Sequence, residues 1–141
     1  MATLFRPYDS IKVGDKATAS KTITDADVML FAGLSGDVNP VHLDEEFAKK
    51  SIFGKRVAHG MLSAGLISAA IGTDLPGINS IYLGQDLKFL APVFIGDTVT
   101  AEVEVVAKRD DKKIVTLKTT VRNQRGENVI EGQAVVKKVE G

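Results

Sequence analysis

With 141 residues, 44% of them hydrophobic, the chain has the length of one domain, residues 1–141, and enough material to bury about two-thirds of its unfolded surface. Its 18 Lys and Arg balance 18 Asp and Glu, which removes the basic field that nucleic acid or an anionic membrane requires. The lack of cysteine excludes disulfides, thiolate catalysis and cysteine-ligated metals, and it is compatible with a reducing compartment.

The first stretch, MATLFRPYDSIKVGD, places Pro7, Asp9 and Gly14 where a secretory signal would be apolar, so a cytoplasmic location is expected. Gly14-Asp15 reads as a turn, and Lys16 to Ile23 alternates Thr and Ser with other residues, as a modest strand does. The period then changes. Thr24 followed by Asp27 makes a capping box, and Asp25 adds negative charge to the first turn. Val28, Leu30, Phe31 and Leu34 recur at helical spacing, predicting a helix from about Asp25 to Leu34 that ends at Gly36. Gly36 to His42 reads as a polar loop in which Pro40 pushes Asn39 out of helical geometry. Asp44 to Lys50, with acids early and bases late, predicts a short helix.

Ala58 to Leu75, AHGMLSAGLISAAIGTDL, predicts the central helix, closed by Pro76-Gly77. From Met61 to Ile71 it carries no charge, whereas a surface helix shows a polar side, so burial on all sides is expected. The run is too short to span a bilayer. Its cover must come from other segments of the chain or from a second copy. Ser63, Ala64, Gly65, Ser68, Ala69, Ala70 and Gly72 let neighbours approach closely, at about 1 kcal/mol per helical Gly. His59-Gly60 stands at the front edge, where free backbone N–H groups can meet a developing negative charge.

From Ile78 onward the pattern is β, and its evenly spaced turns predict an antiparallel meander. Ile81, Leu83, Leu87 and Phe89 share one parity up to Pro92. Gly96-Asp97 launches Thr98 to Lys108, with Val99, Ala101, Val103 and Val105 alternating with Thr and Glu. After the turn at Asp110-Asp111-Lys112, Val115, Leu117, Thr119 and Val121 form an inward face; Arg125-Gly126 turns again before Asn128 to Val139. The stretches Ile11 to Asp15 and Val93 to Asp97, IKVGD and VFIGD, look alike as shared turn chemistry rather than as a repeat. A sheet polar on one face packs something on the other, and the charge-free helix is the candidate. The fold class is therefore α+β, an antiparallel sheet wrapped around a central helix.

Two histidines are present. His42 shares a stiff polar loop with Asp37, Asn39 and Pro40, a place to aim a carboxylate and an imidazole at one point. Histidine exchanges protons close to neutrality, and a carboxylate beside it can orient the ring or share a water. On residues alone that chemistry competes with a plainer account: Asp37 as a turn residue, His42 as a surface residue, and His59 as a capping or packing residue. Ser35, Ser63 and Ser68 lie nearby, but no G-x-S-x-G elbow is present, and Ser in an apolar helix usually bonds back to its own backbone. Two isolated histidines without H-x-x-x-H spacing argue against a metal site. No G-x-G-x-x-G follows a strand, so a dinucleotide fold has no support.

FAGLSGDVNPVHLDEEFAKKSIFGKRVAHGML, followed by SIYLGQDLKFLAPVFIGDTVTAEVEV, resembles the MaoC-like (R)-specific enoyl-CoA hydratases, which have the hot-dog fold. The most specific part is D-x-N-P-x-H at Asp37, Asn39, Pro40 and His42, joined to H-G-M at His59, Gly60 and Met61. The resemblance runs from about Val13 to Lys138. It implies one hot-dog hydratase domain with an overhanging helical segment before the central helix. It also implies that Asp37 and His42 hold the water added to a trans-2-enoyl thioester and that the Gly60 N–H meets the thioester oxygen. Asn39 and Ser68 would help define the substrate pocket, Ile71 and Val135 would limit acyl-chain room, and short acyl chains are expected. The CoA thioester is then the substrate, and no cofactor or metal is expected. A dehydratase acting on acyl carrier protein, a hot-dog thioesterase and a non-catalytic acyl-binding module are the alternatives. A thioesterase commonly has an acid on or beside the central helix, and Met61 to Ile71 has none. One hot-dog protomer leaves a sheet edge open, which predicts a homodimer with the pocket near its interface.

Overall fold

The computed structural model describes residues 5–139. A single 3-10 turn, Tyr8–Ser10, precedes strand β1, Lys16–Thr22. Helix α1, Asp25–Ser35, starts on the predicted capping box: Thr24 Oγ1 accepts from the Asp27 N–H at 3.1 Å, and Asp27 Oδ2 accepts from the Thr24 N–H at 2.9 Å. It ends at Gly36, whose φ of 78° suits a residue without Cβ.

Two short helices follow, α2 over Pro40–Leu43 and α3 over Glu45–Lys49. The first corrects the expected loop through His42. Pro40 occupies the first helical position, where its missing N–H costs nothing, and Asn39 caps the turn with Oδ1 accepting from the Val41 N–H at 3.2 Å. The central helix α4 runs over Gly60–Thr73, followed by β2 at Ser80–Phe89, β3 at Thr98–Arg109, β4 at Ile114–Arg122 and β5 at Asn128–Lys138.

The strands form one antiparallel sheet in the order β1-β3-β4-β5-β2. Strands β3 to β5 are the expected meander. Strand β2 departs from it by pairing with β5 instead of β3, so residues 90–97 carry the chain from one edge across to the far half of the sheet. The inward faces hold: Val99, Ala101, Val103 and Val105 on β3, and Val115, Leu117, Thr119 and Val121 on β4, are fully buried. Burial of each Val or Leu side chain among them contributes roughly 1.5–3 kcal/mol. Helix α4 lies mainly against β1 and β3. On β2 the shared parity fails, because the register shifts between Tyr82 and Gly84. Ile81 and Leu83 are exposed, whereas beyond the shift Leu87 packs on the core and Phe89 pairs with the buried Ile130.

The two similar stretches are one turn used twice. Gly14 and Gly96 take φ of 97° and 100°. The Asp15 N–H donates to the Lys12 carbonyl and the Asp97 N–H to the Phe94 carbonyl, both at 3.0 Å. Each aspartate then accepts, at 2.9 Å, from the N–H of that same Lys12 or Phe94.

Helix α4 is not buried on all sides within one chain. Ser63, Ala64, Ile67, Ala70 and Ile71 form its core face, while Met61, Gly65, Ser68 and Gly72 stand exposed as a stripe along one side. The sheet covers one flank. Helix α1 approaches another, with Leu30, Phe31 and Leu34 across a groove from Leu62, Gly65 and Leu66. Among the described residues no helix is long and apolar enough to cross a membrane.

Candidate active site

The loop after α1 is tied at several points. Ser35 Oγ donates to the Phe31 carbonyl at 2.7 Å and accepts from the Asp37 N–H at 3.1 Å. Asp37 Oδ1 accepts from the Asn39 N–H at 3.3 Å. Arg56 reaches back to donate to the His42 carbonyl at 2.7 Å while pairing with Asp25 at 2.6 Å. These bonds fix where Asp37 and His42 present their side chains.

His42 Nδ1 lies 2.7 Å from the Val57 carbonyl. A carbonyl can only accept, so Nδ1 carries the proton and a neutral ring presents Nε2 as a lone pair. His59 Nε2 lies 2.9 Å from the Asp37 carbonyl and donates to it by the same logic. The two imidazoles stack with centroids 3.9 Å apart and planes 28° apart, and Phe31 tilts against His59 at 4.8 Å. A carboxylate oxygen of Asp37 and a ring nitrogen of each histidine lie within 4.8 Å of one another. Asp37 is exposed, His42 half-buried and His59 only 2% exposed.

This corrects the capping expectation for His59. It stands at the N-cap of α4, yet its side chain makes no cap bond; the packing expectation holds instead, since the ring stacks on His42 and ties down the Asp37 loop. The cluster is compact enough to suggest a metal site, but its two rings lie one over the other with planes only 28° apart. An ion 2.0–2.1 Å from both nitrogens would have to sit out of at least one ring plane.

Gly60 opens α4 at the edge of a pocket of about 580 Å³ whose wall includes Asn39, His42, Gly60, Ser63, Phe89 and Ile130. The first N–H groups of a helix have no intrahelical acceptor, so a thioester oxygen can meet the Gly60 N–H here. A Cβ at this position would stand 2.6 Å from Phe89 Cε1, so any larger residue would have to displace that ring.

The structure therefore places Asn39, His42 and Gly60 on one pocket, with Asp37 outside its lining but beside His42 and His59. Ser68, Ile71 and Val135 do not line this pocket. Ser68 is on the exposed stripe of α4, Ile71 is in the core, and Val135 faces away from it, between the buried Ala134 and Val136. The sequence offers His59 only as a capping or packing residue and Ser63 only as an unsupported nucleophile; the stacking of His59 is a tertiary event, and the three-residue spacing from Gly60 to Ser63 is the signal that puts both on one face of the helix.

Residues 10–126 match the model of the MaoC like domain. The chain belongs to the MaoC-like family. An (R)-specific enoyl-CoA hydratase of Rhodospirillum rubrum is 54% identical over 92% of this chain and 89% of its own length. Another, from Aeromonas caviae, is 53% identical over 91% of this chain and 96% of its own. The solved structure of an (R)-hydratase from A. caviae involved in PHA biosynthesis superposes with a TM-score of 0.90 at 52% identity, covering 92% of this chain and 98% of that one. This MaoC-like chain thus has the α+β hot-dog fold, with α1 to α3 as the overhanging segment before the central helix.

Proposed function

We propose that the chain is a hydro-lyase, an (R)-specific enoyl-CoA hydratase that reversibly adds water to trans-2-enoyl-CoA to give (R)-3-hydroxyacyl-CoA. The observation that carries this reading is the meeting of the Asp37 carboxylate and the His42 ring beside a pocket that includes Gly60. The names of relatives that cover nine-tenths of the chain point the same way.

In this mechanism His42 Nε2 takes a proton from a water that Asp37 helps hold. The remaining hydroxyl adds to C3, and the electron pair moves through C2 onto the thioester oxygen. The Gly60 N–H, aided by the dipole of α4, stabilises that oxygen; losing such a donor typically costs on the order of 3–4 kcal/mol in the barrier. C2 then receives a proton from the Asp37–His42 pair. The exchange moves protons and water only, so its balance calls for no redox carrier or metal.

Acyl-CoA with a short chain is the substrate class we infer, with Asn39 at the pocket wall. Ser68, Ile71 and Val135 are given no contact within this protomer's pocket. A thioesterase reading lacks its acid, since α4 carries no charged residue. We further propose a homodimer. The edge strand β2 is open and exposes Ile81 and Leu83, and the uncharged stripe of α4 is bare, a combination that invites pairing. A cytoplasmic location completes the reading, compatible with the cysteine-free composition. Hydration of crotonyl-CoA, followed by loss of enoyl-thioester absorbance and chiral analysis of the product, tests it: no turnover, or an (S) product, overturns the assignment.

A further inference from the structure

One polar group in the pocket has no part in the mechanism above. Ser63 is fully buried, it borders the same cavity as Gly60 and His42, and its Oγ has no hydrogen-bond partner among the described residues. Helical hydroxyls ordinarily avoid this state by donating to the carbonyl one turn earlier. Among the described residues Ser35 does so to the Phe31 carbonyl at 2.7 Å and Thr73 to the Ala69 carbonyl at 2.6 Å. Ser63 does not. Alanine would suit the helix better and leave no orphaned hydroxyl, so the serine is a cost to the free protein that a bound acceptor would recover.

Residues three apart on a helix share a face, so Ser63 and Gly60 border the pocket from one side of α4, with the Ser63 hydroxyl buried at its wall. The walls that surround them, Val93, Phe89 and Ile130, have no side-chain donor or acceptor to offer. Asn39 and His42 line other parts of the same pocket, and a ligand seated between them and Ser63 would bring an acceptor to the hydroxyl. Resting on the hydratase reading, we propose that Ser63 Oγ–H donates a second hydrogen bond to the thioester oxygen held by the Gly60 N–H. A carbonyl oxygen has two lone pairs for two donors. As it gains negative charge in the enolate-like transition state both bonds strengthen, and a dry site raises their worth. Ser63 is then a catalytic residue, acting on the reacting oxygen, that no motif in the sequence marks.

The test compares the intact protein with Ser63→Ala in three measurements: thermal midpoint without ligand, kcat/KM for crotonyl-CoA, and binding of two inert analogues. These are butyryl-CoA, which keeps the carbonyl, and S-butyl-CoA, the thioether without it. Ser63→Ala is expected to be at least as stable as the native protein and to lose kcat/KM on the order of 10²-fold. Binding of butyryl-CoA should weaken by roughly tenfold while S-butyl-CoA is unchanged. Unchanged kcat/KM, equal effects on both analogues, or a lower midpoint showing that the hydroxyl is satisfied inside the free protein would each overturn the proposal. A native protein that does not hydrate crotonyl-CoA sinks the hydratase reading instead, and the two analogues still decide whether Ser63 meets a thioester oxygen.

Discussion

The imidazole of His59 stacks on that of His42 at 3.9 Å while its Nε2 hydrogen-bonds the Asp37 carbonyl at 2.9 Å. One buried ring thus braces both members of the proposed dyad. His59→Phe keeps an aromatic plane for the stack but cannot hold the Asp37 backbone. It should fold, and kcat for crotonyl-CoA should drop by roughly tenfold, the scale of one lost hydrogen bond. Steady-state kinetics beside a circular dichroism melt check this; native kcat would remove His59 from the positioning of the dyad.

Gly60 and Phe89 form a steric pair. A Cβ on residue 60 would meet Phe89 Cε1 at 2.6 Å, so Gly60→Ala forces the ring to move, at an overpacking cost of about 1–3 kcal/mol. Because Phe89 is half-exposed, Phe89→Leu should relieve the clash. We expect Gly60→Ala to lose stability and activity together and the double variant to regain most of the stability, measured by urea unfolding of the four proteins. Because Ala gains about 1 kcal/mol over Gly in a helix, the contact is read from the cycle: additive effects of Gly60→Ala and Phe89→Leu would contradict it.

The start of α1 should be sensitive to acid. Burial pushes the Asp27 carboxyl up, but the Thr24 N–H and hydroxyl and the Lys21 ammonium outweigh it, leaving it below the ordinary value of 3.8. A depressed folded value means that the stabilisation is present above 3.8 and lost as pH falls through the folded value. Thr24→Ala removes one of these donors and the cap, and should cost about 1 kcal/mol at neutral pH. The cost should shrink in acid, read from chemical unfolding at several pH values.

Tyr8 contributes on the alkaline side. Burial, its hydrogen bond to Asp110 at 2.7 Å and the nearby negative charge push its hydroxyl from 10.0 up to about 12. The folded chain therefore holds this proton more tightly than the unfolded chain does. Its contribution is intact below 10.0 and is lost as pH rises toward 12, a change on the order of 2–3 kcal/mol. Tyr8→Phe should be less stable at neutral pH and show a flatter loss across that window. An unchanged slope would show that another group titrates there.

Much of this was legible in the sequence where a local rule decides the outcome. The Thr24–Asp27 box, the turns at Gly14 and Gly96, and the alternating faces of β3 and β4 follow from spacing alone. Pairing of β2 with β5 was not, because periodicity reports which face is buried and says nothing of which strand lies alongside. The one-turn helix at Pro40 is too short to carry a period. The open stripe of α4 was hidden because Met61, Gly65, Ser68 and Gly72 are uncharged and so read as interior. Asp37, His42 and Gly60 were legible through the D-x-N-P-x-H and H-G-M motifs. The brace by His59 depends on two rings meeting across the fold.

The central claim is that Asp37 and His42 act on one water beside the Gly60 amide. Crotonyl-CoA hydration by the native protein, Asp37→Asn and His42→Gln, with melting curves to establish that all three fold, tests it most directly. Each variant should keep its fold and lose turnover by at least about 10²-fold, the lower range for a positioned acid or base. Near-native turnover in either folded variant would contradict the account.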